Sequence, residues 1–275
     1  MTRTRAVTAL CCIALLVLAG CSALPGTGAG DGGEPYTAAG EPLNVTELQA
    51  DHRSNVRDAS SFTVVAESSS GVGNSSSEGR TVAAVDLESD RIRQDVDYET
   101  AVDSGDSQRI AGSNTTVYQS NGTIYVRTIT TQGNESSTQY QVVDAERSPA
   151  NLSARFAGLE EHASVLRGAN WTQRGTERHD GTTVTRYTAN GSEDFDPDAL
   201  KNGNGAEAPN VTAFNATLLV TADGTIRLLT YDVALEARGQ RVTAENRVTV
   251  ESIGETSVSE PDWLDEARNA SGADA

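Results

Sequence analysis

The 275-residue sequence carries 39 acidic against 21 basic residues, a formal net charge of −18 at pH 7, which repels phosphate backbones and excludes nucleic acid as a partner. Only one basic residue, Lys201, is a lysine; an acidic, lysine-poor surface suits concentrated salt, where self-repulsion is screened and solubility is the difficulty, and it points to a halophile, an archaeon by expectation. The three cysteines, Cys11, Cys12 and Cys21, all lie in the first 21 residues, which excludes a disulfide framework or a cysteine metal site further on.

Arg3 and Arg5 give a short basic start, and Ala6 to Leu18 is an uncharged, mostly apolar run. It is too short to span a bilayer and has the length of a signal-peptide core. Leu18-Ala19-Gly20-Cys21 resembles the lipobox of secreted lipoproteins. That resemblance implies cleavage before Cys21 and lipidation of its sulfur, so that Cys21 tethers the mature chain to the membrane from outside. An ordinary signal peptide or an uncleaved N-terminal anchor is the alternative. The expected organisation is a signal peptide over 1–20 and a lipid-anchored tether over 21–42, with one domain over 43–268 and a disordered tail over 269–275. The tether is Gly-rich, with Pro25, Pro35 and Pro42, and has too few apolar groups to pack.

Thr46-Glu47-Leu48-Gln49 has the form of a capping box and predicts a helix to about Ala59, with a thin apolar face of Val45, Leu48, Val56 and Ala59. From Phe62 the period changes to two. Phe62, Val64 and Ala66 share one face, and Ser68 to Gly79 reads as a long polar loop before a strand over 82–87. Ile92, Gln94, Val96 and Tyr98 alternate with Arg91, Arg93, Asp95 and Asp97, a half-buried strand. Asn121-Gly122 marks a tight hairpin between strands over 116–120 and 122–130, and 140–143 is a further short strand. Ser148-Pro149 then opens an amphipathic helix whose stripe is Leu152, Phe156, Leu159, Ala163 and Leu166. Strands resume over 171–176, 182–188, 211–221, 225–237 and 241–253. The turns at Asn121-Gly122, Asp180-Gly181 and Asp223-Gly224 look alike, so the sheet reads as a meander of antiparallel hairpins. Ser192 to Asn210 is an acidic, Gly/Asn-rich loop, and Pro261-Asp262-Trp263-Leu264 opens a terminal helix.

Eleven of the 15 asparagines sit in Asn-x-Ser/Thr: Asn44, Asn74, Asn114, Asn121, Asn134, Asn151, Asn170, Asn190, Asn210, Asn215 and Asn269. With serine and threonine at about a fifth of the chain, chance gives about three such acceptors, so the excess marks a glycosylated exterior. The histidines, His52, His162 and His179, lack metal-ligand spacing and are expected at solvated surface positions. Asp194, Asp196 and Asp198 alternate like the start of a calcium loop, but Pro197 and Ala199 break the pattern. No metal, no cofactor and no catalytic residues are assigned, and the chain is not expected to be an enzyme.

A lipobox, a helix, a run of strands, a central helix and long final strands resemble the lipoprotein-carrier architecture of LolA and the LppX–LprG proteins. The segments Tyr118-Gln-Ser-Asn-Gly-Thr-Ile-Tyr125-Val-Arg127, Thr221-Ala-Asp-Gly-Thr-Ile-Arg-Leu-Leu229 and Pro261-Asp262-Trp263 look like those of haloarchaeal cell-surface lipoproteins. The resemblance implies an α+β fold: a large curved, mostly antiparallel sheet, a half-barrel, with the N-terminal and central helices packed on one face. It also implies a non-enzymatic carrier of an apolar ligand, a lipid or a lipoprotein, in a cavity lined by Phe156, Leu159, Leu218, Leu229 and Tyr231. The same five residues also fit a filled core. The alternative is then a glycosylated surface protein of structural or interaction type with no small ligand.

Overall fold

A computed structural model of the protein describes residues 42–103, 105, 108–144, 151–201, 208–237 and 239–272. The expected signal peptide, Cys21 and nearly all of the tether lie outside the described residues, as do Ser148 and Pro149.

Helix α1 spans Val45–Asp58. Its cap is Asn44, two residues earlier than the capping box predicts: the Asn44 carboxamide oxygen accepts from the Glu47 backbone N–H at 3.2 Å and its amide donates to the Glu47 carboxylate at 2.8 Å. The pair occupies the positions of a capping box, but the Asn44 side-chain amide, not its backbone N–H, is the donor to Glu47. Leu48, His52 and Val56, four residues apart, form the buried stripe of the helix.

Eleven strands follow: β1 (Ser61–Val72), β2 (Ser75–Asp86), β3 (Arg91–Asp103), β4 (Gln108–Ser120), β5 (Thr123–Gln132), β6 (Glu135–Asp144), β7 (Thr172–His179), β8 (Thr182–Asn190), β9 (Asn210–Thr221), β10 (Ile226–Ala237) and β11 (Gln240–Glu251). They form one open sheet in the order β6-β5-β4-β3-β2-β1-β11-β10-β9-β8-β7, antiparallel at every pairing. Two meanders, β1–β6 and β7–β11, thus join through the first and last strands. Asn121-Gly122 and Asp180-Gly181 turn with positive φ at both residues, as the twist of a two-residue hairpin demands. Asp223-Gly224 differs. Only the glycine has positive φ there, and the turn is held by Thr221 and Thr225 and tied to α1 through Asn55, whose amide donates to the Asp223 carbonyl at 2.7 Å.

Ser68 to Gly79 is not a loop. β1 and β2 continue through it in unbroken register and turn only at Gly73-Asn74. The ladder there is made by backbone groups alone, since β1 also pairs with β11 along its length and every N–H finds a partner without an apolar face. The predicted central helix is also divided. α2 (Leu152–Gly158), capped by Asn151, ends at Leu159 in the left-handed region, φ 48°. A 3₁₀ turn over Glu160–His162 leads into α3 (Ala163–Gly168). Gly158 ends α2 against α1: a Cβ there would lie 2.9 Å from an Arg53 guanidinium nitrogen.

One buried cluster takes Leu48 and Val56 from α1, Leu152 and Phe156 from α2 and Leu166 from α3. It combines them with Phe62, Val85, Leu218, Leu229 and Val248 of the sheet. A second cluster lies on the other sheet face. There α4 (Leu264–Gly272) and the segment before it place Val258, Trp263, Leu264 and Ala267 over Tyr118, whose neighbours in β4 alternate with the residues of the first face.

Candidate functional site

On the face that carries α4, the strands run out from a closed aromatic end to an open, charged one. Tyr118 is fully buried beside Tyr125, with ring centroids 6.4 Å apart, and Tyr140 packs on Trp263 at 6.2 Å. The Arg127 guanidinium lies 5.3 Å from the Trp263 ring centroid and that of Arg268 5.8 Å from the Tyr125 ring, cation–π contacts that fasten α4 to the sheet. One step along β4, the buried Thr116 hydroxyl donates to Asp95 at 3.0 Å, and Asp95 accepts a two-pronged bond from Arg93 at 2.8 and 3.2 Å.

The next step opens into a trough of about 1180 Å³. Its floor is set by register. Arg247, Glu67, Arg80, Asp97, Asn114 and Ile129 face one another in turn across β11, β1, β2, β3, β4 and β5. The following row is Glu245, Ser69, Glu78, Glu99, Gly112 and Thr131. Arg80 approaches Glu67 at 3.7 Å with both side chains about half exposed. The Asn114 amide donates to Asp97 at 2.7 Å. Glu78 stands directly opposite Glu99, a like-charge pairing that costs stability. Ile110, 47 % exposed, lies at the rim. The trough is therefore wide, polar and acidic, with five carboxylates to two guanidiniums among its lining residues.

The five residues expected to line an apolar cavity are brought together on the opposite face. Phe156, Leu159, Leu218 and Leu229 are buried in the main cluster and Tyr231 packs against it. The Tyr231 hydroxyl and His162 Nδ1 lie 3.1 Å apart in an edge-on ring contact. Burial lowers the pKa of His162 and, with Glu161 adding to it, raises that of Tyr231.

The expected surface histidines are corrected. His52 is 1 % exposed, because it occupies the middle of the Leu48–Val56 stripe, and its Nδ1 accepts from the Ile226 backbone N–H at 3.2 Å. Burial foremost, and Arg53 beside it, hold its pKa down at about 4. His162 and His179 are half-buried. Of the alternating acids, Asp194 accepts from the Asn190 N–H, Asp196 caps a 3₁₀ turn through the Asp198 N–H, and Asp198 pairs with Lys201. Among the described residues no three His, Cys, Asp or Glu side chains converge as metal ligands.

Ten of the eleven sequon asparagines are exposed; Asn114 is half-buried. Its amide is engaged by Asp97, and the hydroxyl of Thr116, two residues on, is closed to solvent. No helix among the described residues is long and apolar enough to cross a membrane. Sequence reasoning missed the trough, although one signal for it was visible: the Arg93-Asp95-Asp97 face of β3 borders and enters it.

No curated protein matches the chain. Among solved structures, LprF from Mycobacterium bovis is 13 % identical, over 79 % of this chain and 97 % of that one, with a TM-score of 0.31. A β-barrel-like protein of the domain of unknown function DUF1849 from Brucella abortus is 9 % identical over 70 % and 98 %, also at 0.31. A protein described as an outer membrane lipoprotein-sorting domain, from Vibrio parahaemolyticus, is 9 % identical over 82 % and 99 %, at 0.21. The sequence pattern of a family of unknown function, DUF7537, matches residues 6–267.

Proposed function

The chain belongs to the DUF7537 family of unknown function, and from that premise we propose that it is a lipid-anchored, glycosylated interaction protein of the outer envelope face. Cys21 holds it to the membrane, the exposed sequon asparagines carry glycans, and the acidic excess keeps the domain soluble in concentrated salt. The trough is its contact surface, and it takes a polar, positively charged partner. The observation that carries this reading is the direct opposition of Glu78 and Glu99 in an open concavity. Wherever salt does not screen it, a fold keeps such a pairing at a cost, and a cationic partner would relieve it by direct contact.

A second reading, carriage of an apolar ligand beneath α2 and α3, is favoured by one observation: the left-handed break at Leu159. It gives the cover of the main cluster a joint, beside the His162–Tyr231 contact.

One experiment separates the two. The full chain is produced in a halophilic host, kept in molar salt, extracted with organic solvent and analysed by mass spectrometry. The interaction reading expects no lipid beyond the anchor on Cys21. A second lipid at near one per chain would overturn it in favour of carriage. A Cys21→Ser chain that remains as membrane-bound as the wild type would remove the anchor from both readings.

A further inference from the structure

An open sheet has two outer edges, and here they are built differently. β7 is blunted: its register shifts between Gln173 and Gly175, Gly175 has φ 121°, and Arg174, Glu177 and Arg178 lie within its eight residues. A bulge and charges are the usual means of keeping another strand away. β6 has no bulge, and its only charges, Glu135 and Asp144, stand at its two ends. It pairs with β5 without a register shift, eight consecutive residues from Ser136 to Val143 are uncharged and free of proline, and most of the strand is exposed, Val143 by 40 %. Among the described residues no strand pairs with the outer side of Ser136 to Val143. A long, regular, uncharged edge is a template for a further strand.

We propose that two copies of this chain pair through β6, antiparallel about a two-fold axis, with Gln139 facing the partner subunit's Gln139. The register follows from the hairpin. β5 and β6 close on Gln132 and Glu135 around two residues, and the closing pair of such a hairpin exchanges both backbone hydrogen bonds. Odd-numbered residues of β6 therefore bond inward, and Ser136, Thr138, Tyr140 and Val142 present N–H and C=O outward. Two copies can join only through these even-numbered residues. That rule forbids the centred register, which would set Glu135 against the partner's Asp144. Pairing Thr138 with the partner's Tyr140 and Ser136 with the partner's Val142 keeps seven uncharged residues in the ladder. It leaves Glu135 facing the partner's Val143. It also makes a β-branched–aromatic cross-strand pair, whereas a two-residue slide would set Tyr140, already packed on Trp263, against its own copy. Because each chain carries a net charge of −18, pairing should strengthen as salt screens the repulsion.

In this register Gln139 and its symmetry mate form a non-hydrogen-bonded pair with Cα atoms about 4.5 Å apart, within disulfide reach. Ser137 and its mate are about 14 Å apart, out of reach. The test uses the full chain in molar salt under mild oxidation. Gln139→Cys should give a covalent dimer above the wild-type background, and Ser137→Cys should not. Thr138→Pro removes an outward N–H that β5 does not use, so it should weaken dimerisation at least tenfold in sedimentation with the far-UV circular dichroism unchanged. If that variant misfolds, Ser136→Pro, which removes another outward N–H at an exposed position, should weaken it instead. A wild-type chain that stays monomeric at tens of micromolar, or a Ser137→Cys dimer that forms as readily as that of Gln139→Cys, would overturn the proposal.

Discussion

At the helix-covered end of the sheet, Phe62 and Val64 of β1, Ala83 and Val85 of β2 and Val248 and Val250 of β11 are buried and alternate with half-exposed neighbours. Six residues further along the same strands stand Ser68 and Ser70, Ser77 and Gly79, and Ala244, with charged Glu67, Glu78 and Glu245 on the other face. The backbone ladder is the same at both ends; only the reason for it differs. At the covered end, removal of apolar area from water drives strand formation. At the open end, pairing is propagated from already ordered neighbours, each new bond adding to a register fixed elsewhere. The open end is thereby freed to carry a polar surface, and the trough lies there.

The largest test of this contrast is Leu229→Ala. Leu229 is fully buried in the main cluster, and its truncation should cost about 2–5 kcal/mol of stability in denaturant unfolding at high salt. Ser69→Ala, in the trough, should stay within about 0.5 kcal/mol. Equal losses would mean that the two ends are held by the same forces.

Next in size is the pH dependence contributed by His52. Its pKa in the folded chain, about 4, lies below its ordinary value of 6.5. Above pH 6.5 the ring is neutral in folded and unfolded chains alike, and the folded state keeps the full benefit of the bond from Ile226. As pH falls from 6.5 towards 4 the unfolded chain binds the proton first, so stability is lost progressively and levels off below 4. The loss should total on the order of 3 kcal/mol. His52→Gln, which retains an acceptor, should flatten that slope relative to the wild type in unfolding titrations. An unchanged slope would place the pH response elsewhere.

The covered end was legible because burial writes a pattern. The Ile92-Gln94-Val96 alternation, the Leu152–Leu166 stripe and the Asn-Gly and Asp-Gly hairpins each correspond to an element at or near its predicted place. His52 was misjudged for want of one step, since its spacing from Leu48 and Val56 already put it on the apolar face. The open end wrote no such pattern. With neither face of Ser68–Val72 or Ser75–Gly79 covered, serine and glutamate serve as well as valine, and a loop and a strand read alike. The break at Leu159 was invisible for another reason: an unbroken helix satisfies the same stripe, and only the close approach of Gly158 to Arg53 distinguishes the two. The trough is a cross-strand object, and register across β11, β1, β2, β3 and β4 cannot be read from any one segment.

A smaller effect is expected at the start of α1. Asn44→Ala removes the cap and should cost about 1 kcal/mol, read as a lower denaturation midpoint with an unchanged m-value. Asn44 is also a sequon asparagine whose amide is held by Glu47, so a glycan there would displace that bond, and Asn44→Asp should keep the cap while removing the acceptor site.

The smallest effect tests the trough itself. Glu78 and Glu99 are exposed cross-strand partners, and their repulsion weakens β2–β3 pairing where no apolar contact compensates. Glu78→Gln should therefore stabilise the domain by a few tenths of a kcal/mol at low ionic strength, and the gain should vanish in molar salt, where charges this exposed are screened within about 3 Å. The same substitution should weaken capture of a cationic partner at the trough. A variant that is more stable and binds less well would show that the open end keeps its opposed carboxylates for contact rather than for folding. A gain that persists undiminished in molar salt would instead mean that residue 78 acts through packing, and the distinction between the two ends of the sheet would lose its electrostatic basis.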